Sequence, residues 1–272
     1  MAIEFFKMSG SGNDFILIDN RDHSVVVENL ERFARTICER KVSVGADGLI
    51  IIENSDRADF RWRFFNADGS EVEMCGNGGR CAARFANIKG IAKEKMSFET
   101  MAGLIDAEVK DDTVKLRLTV PYHLRIDYPI TIEDRIYEVS SINTGVPHVV
   151  HFVHDLDHYD VFHVGRVIRY HPHYRPQGTN ANFVEAVDRH TIRIRTYERG
   201  VEDETLACGT GAVASALISS SKGLIESPVE VGVRSGEIIK VYFERTEGGF
   251  ENIYLEGKTK IVYQGILWEE KS

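Results

Sequence analysis

The sequence predicts a mixed α/β protein made of two related domains, with many short strands and few helices. Three observations favour this fold: short apolar or alternating runs rich in β-branched and aromatic residues, one helical segment without charge on any face, and an internal repeat spanning about half the chain. A chain of 272 residues is long enough for two domains of about 100–150 residues each. The composition, 43% hydrophobic and 28% charged, supports packed cores.

The strands and helices are predicted from periodicity. The strand segments are Phe5–Phe6, Phe15–Ile18, Leu49–Ile52, Asp59–Phe65, Val114–Val120, Val149–Val153, Thr191–Tyr197, Ile238–Phe243 and Ile261–Trp268. The helical segments are Glu28–Glu39, Gly78–Ile88 and Gly211–Ser221. Because the last helix carries no charge, we expect it to be buried on nearly all sides, with a β-sheet wrapped around it.

The domain boundary is predicted near residue 120. Pro121 and Pro129 bracket a plausible crossover there, because proline interrupts regular structure. We therefore expect an N-terminal lobe over residues 1–120 and a C-terminal lobe over 121–260. The final segment, 261–272, is expected to pack back on the first lobe.

The internal repeat carries the functional argument. When Arg61–Asn66 is laid over Ile194–Arg199, the same offset of 133 residues places Cys75 over Cys208. In each copy an alternating strand and an acidic turn lead to Cys-Gly-X-Gly, and a helix rich in small residues follows. The repeat predicts a duplicated half, with the two cysteines opposed across a cleft between the domains.

The position of each cysteine favours a reactive thiol. A helix N-terminus has free N–H groups and a partial positive charge, which lower a cysteine pKa from about 8.5 to about 3.5–7.5. The neighbouring glycines allow a carboxylate to approach the backbone N–H groups. Inverting a carbon centre requires removing a proton from one face and delivering one to the other, which two matched thiols can do. We expect Cys75 and Cys208 to be such an acid–base pair, whose titrations are coupled.

Bulk properties exclude other classes of protein. The net charge of −9 leaves no general basic surface for nucleic acid. No stretch approaches the 18–20 apolar residues of a membrane span, and residues Met1–Lys7 do not resemble a secretory signal. We therefore expect a cytoplasmic protein whose four cysteines are thiols. Cys38 and Cys81 are interpreted as core residues.

Several alternative sites stay open from the residues alone. The run Gly209–Ala214 loosely fits a dinucleotide-binding loop, although an acidic stretch rather than a buried strand precedes it. Cys75 and Cys81 are too far apart for the usual zinc spacing. His148, His151 and His154 are spaced by three residues, but a strand would separate them onto different faces. They are expected to be solvated, with His148 as the possible exception.

Motifs along nearly the whole chain resemble those of the diaminopimelate epimerase family. They are Ser11–Phe15, Gly45–Gly48, Phe65–Ser70, Met74–Arg80, Gly145–His148, Gly178–Val184, Tyr197–Gly200 and Ala207–Gly211. The resemblance implies a cofactor-independent enzyme of lysine and peptidoglycan precursor synthesis, with no metal, acting as a homodimer on an amino-acid substrate. It also implies two similar pseudo-symmetric domains, each a mainly antiparallel sheet curled around a central helix, with the active site in the cleft between them.

The family's functional residues can be carried over where the motifs match. The resemblance implies that Cys75 and Cys208 are the acid–base groups. It assigns the distal amino-carboxylate end of the substrate to Asn13, Asn66, Asn180, Glu198 and Arg199. The reacting α-carboxylate would be capped by backbone N–H groups of Gly76, Asn77, Gly209 and Thr210. His148 and Glu198 would lie near the thiols and bias which one is ionised.

Two positions depart from the family pattern, and other functions remain possible. Val146 stands where asparagine often precedes Pro-His, and Gly48 where some members have glutamine, which weakens individual substrate contacts. Without the family, the three asparagines are equally well explained by turn chemistry. A proline or hydroxyproline racemase shares paired cysteines but needs no distal charged group. A cysteine hydrolase with His148 as base would need only one cysteine and would leave the repeat unexplained. A non-catalytic amino-acid binder would bind its ligand without exchanging the α-proton.

Overall fold

A computed structural model describes residues 2–23, 25 and 29–268 of the chain. The chain divides into two compact units, Met1–Arg117 with Gly257–Ser272, and Leu118–Glu256. Both consist mostly of strands with few helices. The elements in chain order are β1 (Ala2–Gly10), β2 (Asn13–Asp19), α1 (Leu30–Cys38), β3 (Gly48–Glu53), β4 (Phe60–Asn66), α2 (Gly76–Ile88), β5 (Lys95–Thr100), β6 (Gly103–Lys110), β7 (Thr113–Arg117), β8 (Tyr122–Ile132), β9 (Arg135–Asn143), β10 (Pro147–Phe152), α3 (Val161–Tyr170), a short 3-10 helix (Pro172–Tyr174), β11 (Asn180–Asp188), β12 (Thr191–Glu198), β13 (Asp203–Thr205), α4 (Gly209–Ser221), β14 (Val229–Gly232), β15 (Ile238–Thr246), β16 (Gly249–Lys258) and β17 (Lys260–Trp268).

The two units pair their strands in the same order and with the same directions. In the first unit β17–β1 and β1–β2 are antiparallel, β2–β3 parallel, β3–β4 antiparallel, β4–β5 parallel, and β5–β6 and β6–β7 antiparallel. In the second unit β8–β9 and β9–β10 are antiparallel, β10–β11 parallel, β11–β12 antiparallel, β12–β14 parallel, and β14–β15 and β15–β16 antiparallel. The internal repeat of the sequence therefore has a counterpart in the topology.

One helix of each unit is buried among the strands of that unit. Helix α2 contacts β1, β2, β3, β6 and β7, and helix α4 contacts β8 to β12, β14 and β15. Every residue from Gly211 to Ser220 is buried, which confirms the expectation drawn from the uncharged helix. Helices α1 and α3 pack on other strand surfaces, α1 with Ile16 and Leu49, and α3 with Phe183.

The helices differ from prediction at their ends. Both cysteine-bearing helices begin two residues earlier than predicted, at Gly76 and Gly209, so each cysteine is itself the N-cap residue. The Cys-Gly-X-Gly segment is therefore not a separate loop before the helix, because its glycines form the first turn. Helix α1 begins at Leu30 after the capping side chain of Asn29. Glu28, the predicted start of that helix, lies outside the described residues.

Other elements were missed or misplaced by the sequence analysis. Helix α3 was missed, although Asp160 caps its N-terminus. The strands β5, β6, β8, β9, β11, β13, β14 and β16 were also missed. Pro129 lies inside β8 rather than marking a crossover. The end of the predicted terminal segment, residues 269–272, lies outside the described residues.

The predicted overlay of the two repeats was wrong by one residue in the strand. Arg63 on β4 donates two hydrogen bonds to Glu71, of 2.7 and 2.8 Å. Arg195 on β12 likewise donates two hydrogen bonds to Glu204, of 2.6 and 2.8 Å. The equivalent arginines are thus 132 residues apart, whereas the cysteines are 133 apart. A slip of one residue exchanges the two faces of a strand, so this correction decides which side chains are equivalent.

No helix in the part of the chain that the structure describes is long and apolar enough to cross a membrane.

Candidate active site

Strand alternation places polar side chains of the second unit at the start of helix α4. Val150, Val184 and Ile194, on three neighbouring strands, pack in one core cluster with α4. Because side chains alternate between faces, residues two positions along each strand share that face. The face therefore continues from apolar residues to His148 on β10, Asn182 and Asn180 on β11, and Thr196 and Glu198 on β12.

Cys208 lies at the N-terminus of α4. It is 5% exposed, its backbone carbonyl accepts the N–H of Ala212 at 2.9 Å, and its sulfur lies 3.6 Å from Thr210 Oγ1. Within the described residues its side chain makes no capping hydrogen bond to the helix. The first-turn N–H groups of Gly209 and Thr210 have no partner within a helix, so they suit an anion beside this sulfur.

Glu198 contacts the Cys208 thiol. Its carboxylate accepts a hydrogen bond of 2.9 Å from Thr205 Oγ1 and another from the Cys208 side chain. Burial raises the pKa of Glu198 above its usual value, while these two hydrogen bonds lower it in part. The structure thus joins two of the predicted site residues, Glu198 and Cys208, directly.

Asn180 holds the backbone around Arg199. Its Oδ1 accepts the backbone N–H of Arg199 at 2.8 Å, and its Nδ2 donates to the carbonyl of Pro147 at 3.1 Å. The guanidinium of Arg199 donates to the Gln177 carbonyl at 3.3 Å and remains partly exposed. Both polar atoms of the Asn180 amide are therefore engaged in fixing the neighbouring segments.

Cys75 occupies the equivalent position in the first unit, at the N-terminus of α2. Its Sγ accepts the N–H of Gly78 at 3.5 Å, and its carbonyl accepts the N–H of Gly79 at 2.7 Å. The residue is partly exposed. By helix geometry the N–H groups of Gly76 and Asn77 have no partner within the helix, as at Cys208.

Asn13 and Asn77 are connected to a buried arginine. Asn77 Nδ2 donates to Asn13 Oδ1 at 2.8 Å, and Arg80 donates to Asn77 Oδ1 at 2.9 Å and to Ser11 Oγ at 2.6 Å. Asn13 also donates to the Asp47 carboxylate at 3.0 Å. These contacts bring two predicted site residues, Asn13 and Asn77, to the helix that Cys75 begins.

A cluster of charged side chains anchors the start of strand β2, where Asn13 lies. Arg40 bridges Asp14 at 2.5 Å and Asp47 at 2.8 Å, and Lys7 pairs with Asp14 at 2.9 Å. Burial opposes ionisation of Asp14, but Arg40 and Lys7 outweigh it and lower its pKa. The acidic residues of the Asn13-Asp14 and Ala46-Asp47 motifs therefore position the site rather than face a ligand.

Asn66 is not brought into contact with these groups. Its Nδ2 donates to Ser70 Oγ at 3.2 Å, and its backbone N–H and carbonyl bond to Ser70 and Gly69, as turn chemistry predicts. The adjacent Ala67 does reach the group above, through its N–H to the Asp47 carbonyl at 3.0 Å. Its amide therefore points into its own turn in this structure.

The departure at Gly48 has a packing reason. A Cβ at Gly48 would lie 2.5 Å from the Phe64 ring and 2.8 Å from the Phe65 carbonyl, so no longer side chain fits there. Gly48 pairs across β3–β4 with Asn66. Nothing in the structure explains the valine at position 146.

His151 and the two remaining cysteines are separate from this chemistry. His148 is buried, whereas His151 faces the other side of β10 among the rings of Tyr159 and Phe183. Burial lowers the pKa of His151, which is partly exposed, so the expectation that it is solvated holds only in part. Cys38 and Cys81, 3% and 0% exposed, are core residues as predicted. Across residues 2–23, 25 and 29–268, no group of three or more His, Cys, Asp or Glu is placed to hold a metal.

Sequence reasoning missed three kinds of supporting residue. They are the arginine–glutamate pairs before each cysteine, the Arg80 bridge, and Asn182 with Thr205 in the second unit. The spacing of Asn180 and Asn182, two residues apart on one strand, could have shown that both amides share a face.

Comparisons with known proteins agree on one family. The family model described as diaminopimelate epimerase matches residues 5–123 and 140–262. The diaminopimelate epimerase of Aquifex aeolicus (strain VF5) is 47% identical over 279 residues, covering 98% of this chain and 99% of the relative. That of Archaeoglobus fulgidus is 44% identical over 280 residues, covering 98% of this chain and 97% of the relative.

Solved structures with low sequence identity share the fold. The Bacillus anthracis phenazine biosynthesis protein of the PhzF family has a TM-score of 0.76 at 16% identity, covering 99% of this chain and 100% of that one. A hydroxyproline epimerase from Agrobacterium vitis, with bound trans-4-hydroxy-L-proline, has a TM-score of 0.68 at 14% identity, covering 98% and 92%. At these identities the likeness concerns the fold alone.

Proposed function

The chain belongs to the diaminopimelate epimerase family, and from this premise we propose that it converts LL-2,6-diaminopimelate to the meso isomer without a cofactor, in lysine and peptidoglycan precursor synthesis. The observation that carries the proposal is the pair of cysteines that cap equivalent buried helices in two units of equal topology. A single nucleophilic cysteine would not require this duplication.

The proposed reaction is a two-base proton transfer. One cysteine, as thiolate, removes the α-proton from one face of the substrate, and the other, as thiol, delivers a proton to the opposite face. The electron pair left on the α-carbon is delocalised into the adjacent carboxylate. After one forward turnover the first cysteine carries a proton and the second is a thiolate, which is the form that catalyses the reverse reaction. A second forward turnover requires the proton to pass from the first thiol to the second, through solvent.

Helix N-termini would stabilise the negative charge that develops on the carboxylate. The first-turn N–H groups of Gly76 and Asn77, and of Gly209 and Thr210, are fixed by the helices before the reaction begins. Preorganised donors of this kind stabilise a developing charge without a cost of reorganisation. The glycines leave room for the carboxylate to approach the backbone.

The distal end of diaminopimelate carries an ammonium and a carboxylate. Arg199 is the group for that carboxylate, because a guanidinium can bind both oxygens. Asn13, Asn66, Asn180 and Glu198 complete the proposed set. Asn180 supports this assignment through its hydrogen bond to the Arg199 backbone. Asn66 would have to leave its bond to Ser70 in order to reach a substrate.

The test is exchange of the α-proton with solvent. In deuterated water the purified enzyme, free of pyridoxal phosphate, should incorporate deuterium at the α-carbon of LL-diaminopimelate and form the meso isomer. Proline and hydroxyproline, tested alongside, should remain unchanged. Racemisation of proline instead would identify the alternative enzyme class.

Single alanine substitutions distinguish the two proposed catalytic cysteines from a cysteine of the core. Cys75→Ala and Cys208→Ala should each reduce turnover by about 10²–10⁴-fold, the usual contribution of a general acid or base. Cys38→Ala removes a buried thiol outside the motif and should leave turnover largely intact. Full activity in either of the first two variants would overturn the two-base mechanism.

The proposal also requires both thiols to reach one α-carbon, in a cleft between the units. If they do, an azo oxidant that accepts two hydrogens should join Cys75 to Cys208 as a disulfide and inactivate the enzyme, reversibly with dithiothreitol. Peptide mapping by mass spectrometry identifies the bond. An oxidised enzyme that keeps its activity and lacks this cross-link would contradict the proposed arrangement.

Oligomeric state and location complete the proposal. The resemblance supports a homodimer in the cytoplasm. Light scattering coupled to size-exclusion chromatography tests the dimer, and a mass of a single chain of 30.7 kDa would contradict it.

A further inference from the structure

We propose that Asn182 is a positioning residue that holds His148 as the neutral tautomer protonated on Nε2, so that His148 presents a hydrogen-bond donor to an anion in the active site. The inference rests on the proposed function, because the anion is either a cysteine thiolate or a carboxylate of the substrate. Both residues are 1% exposed and lie on the strand face that meets the N-terminus of α4.

The orientation of the Asn182 amide is fixed by its neighbours. Its Nδ2 lies 2.9 Å from the carbonyl oxygen of Val149, and a backbone carbonyl can only accept. On the other side of the amide, Thr196 Oγ1 donates to Asn182 Oδ1 at 2.9 Å. Rotating the amide by half a turn would set two carbonyl oxygens against each other, so the NH2 group must face Val149.

This orientation determines the tautomer of His148. The Asn182 Nδ2 that bonds to Val149 also lies 3.1 Å from His148 Nδ1, and its second hydrogen is directed there. His148 Nδ1 must therefore accept. A neutral imidazole has one acceptor and one donor nitrogen, so the proton is on Nε2. Burial, together with the charge of Arg199, lowers the pKa of His148 to about 3, which keeps the ring neutral near pH 7.

The Nε2–H group is the part of this arrangement available to a ligand. It is buried and has no hydrogen-bond partner among the residues that the structure describes. A buried donor without a partner is unfavourable, which indicates that an acceptor belongs there when the site is filled. The network lies close to the reactive sulfur, because Asn182 and Cys208 both border Gly211. A Cβ added to Gly211 would lie 2.3 Å from Asn182 Oδ1 and 3.2 Å from Cys208 Sγ.

The role inferred for His148 is that of a donor rather than a proton-transferring base. Its only basic nitrogen, Nδ1, is engaged by Asn182, and Nε2 already carries a proton. A neutral N–H stabilises an anion without itself gaining or losing charge, as a backbone N–H does at the start of a helix. Asn182 acts through His148 and does not itself contact the substrate.

The first experiment reads the tautomer directly. The full-length protein, labelled with 15N at histidine, is examined by long-range 15N–1H correlation from pH 6 to 9, and a His148→Gln variant assigns the His148 signals. We expect an unprotonated Nδ1 and a protonated Nε2 throughout this range. A protonated Nδ1, or an imidazolium ring, would overturn the inference even if the enzyme epimerises diaminopimelate.

Substitution of Asn182 should move the proton. In Asn182→Asp a carboxyl oxygen replaces Nδ2 opposite His148, so we expect the proton to move to Nδ1, and kcat/KM to fall by about tenfold or more through loss of the Nε2–H donor. Thr196→Val is the structural control: it removes one bond to Asn182 but keeps Val149 and His148 in place, so the tautomer should not change. Asn252→Asp, at an exposed amide bonded to Glu244, should change neither the tautomer nor kcat/KM.

The Nε2–H signal of the wild-type protein shows whether the anion that accepts this hydrogen bond is a cysteine thiolate or a substrate carboxylate. If the acceptor is a thiolate, the signal shifts as the ligand-free enzyme is titrated, and Cys75→Ala or Cys208→Ala abolishes the shift. If it is a substrate carboxylate, the signal shifts on addition of meso-diaminopimelate. A signal that responds to neither treatment would contradict the donor role. The wild-type spectra test both the tautomer and the donor role without any Asn182 variant. The inference can therefore be confirmed or overturned even if N182D does not fold.

Discussion

The two cysteine-bearing helices begin alike but lie in different chemical surroundings. Cys75 is partly exposed, and its sulfur accepts a backbone N–H from Gly78 at 3.5 Å. Cys208 is buried, and its thiol bonds to the Glu198 carboxylate near the hydroxyl of Thr210. An N–H donor favours the thiolate form of a cysteine, whereas a carboxylate favours the thiol that donates to it. We therefore expect Cys75 to be the ionised partner in the ligand-free enzyme.

The difference arises at one pair of equivalent positions. Phe65 packs with helix α1 and Tyr197 with helix α3, so the next residues, Asn66 and Glu198, occupy equivalent positions at the ends of β4 and β12. One is an amide engaged in its own turn, and the other is a carboxylate beside a thiol. The shared fold thus sets where each cysteine lies, and the residue at the end of the strand decides whether a carboxylate lies beside the thiol.

The largest difference in stability is expected at the arginine–glutamate pairs that precede the cysteines. Glu204 is 6% exposed, bonded by Arg195 and also by Arg234, whereas Glu71 is 25% exposed. Removing a partner from a buried carboxylate is costly, so Arg195→Met should lower the free energy of unfolding by about 3 kcal/mol. Arg63→Met should lower it by about 1 kcal/mol, because its pair is more solvated. Urea denaturation measures both, and equal losses would show that the two pairs are equally buried in solution.

The second difference concerns the glycines in the first turns of α2 and α4. A Cβ at Gly211 would meet Asn182 Oδ1 at 2.3 Å, whereas one at the equivalent Gly78 would meet Ile50 at 3.3 Å. Gly211→Ala should therefore destabilise the protein by about 2 kcal/mol and impair turnover. Gly78→Ala should change stability by less than about 1 kcal/mol, since alanine favours the helix. Thermal unfolding with a turnover assay measures both, and a larger effect at Gly78 would contradict the described packing at Asn182.

The third difference is the reactivity of the two thiols. In the ligand-free enzyme, iodoacetamide should modify Cys75 at least about tenfold faster than Cys208, because the thiolate is the nucleophile and Cys75 is more accessible. Quenched time points analysed by peptide mass spectrometry give both rates in one sample. Glu198→Gln removes the carboxylate beside Cys208, so it should bring the modification rates of Cys75 and Cys208 closer together. Faster modification of Cys208 would reverse the expected assignment of base and acid.

Sequence alone predicted where the cysteines lie but not their surroundings. The repeat and the glycines placed both cysteines at helix starts, and the uncharged Gly211–Ser221 segment identified a buried helix. The one-residue error in the strand overlay hid the equivalence of Asn66 and Glu198. Strand register depends on pairing with distant segments, so a chain read in one dimension does not determine it.

The missed features differ in whether the sequence could have shown them. Helix α3 buries Val161, Val164 and Ile168, a helical spacing that follows a capping Asp160, so its signal was present in the sequence. Asn182 is different, because nothing in an isolated asparagine shows which carbonyl and which histidine it will meet. The roles of the site residues in catalysis remain predictions, which the variants above test.

The smallest expected effect is a pH dependence of stability with opposite sign at two neighbouring glutamates. Burial raises the pKa of Glu198, whereas bonds from the Gly200 backbone, Tyr170 and Arg169 lower that of Glu202 despite its desolvation. A raised folded-state pKa means that the stability from Glu198 is complete below its unfolded pKa of about 4.3 and is lost as pH rises through the folded value. The stability of Glu198→Gln relative to wild type should therefore increase from pH 4 to pH 8. Glu202→Gln should show the reverse trend, because a lowered pKa stabilises above the unfolded value and that contribution is lost as pH falls. Urea denaturation at several pH values gives both slopes, and slopes of the same sign would mean that the Glu198 carboxylate is not buried beside Cys208 in solution.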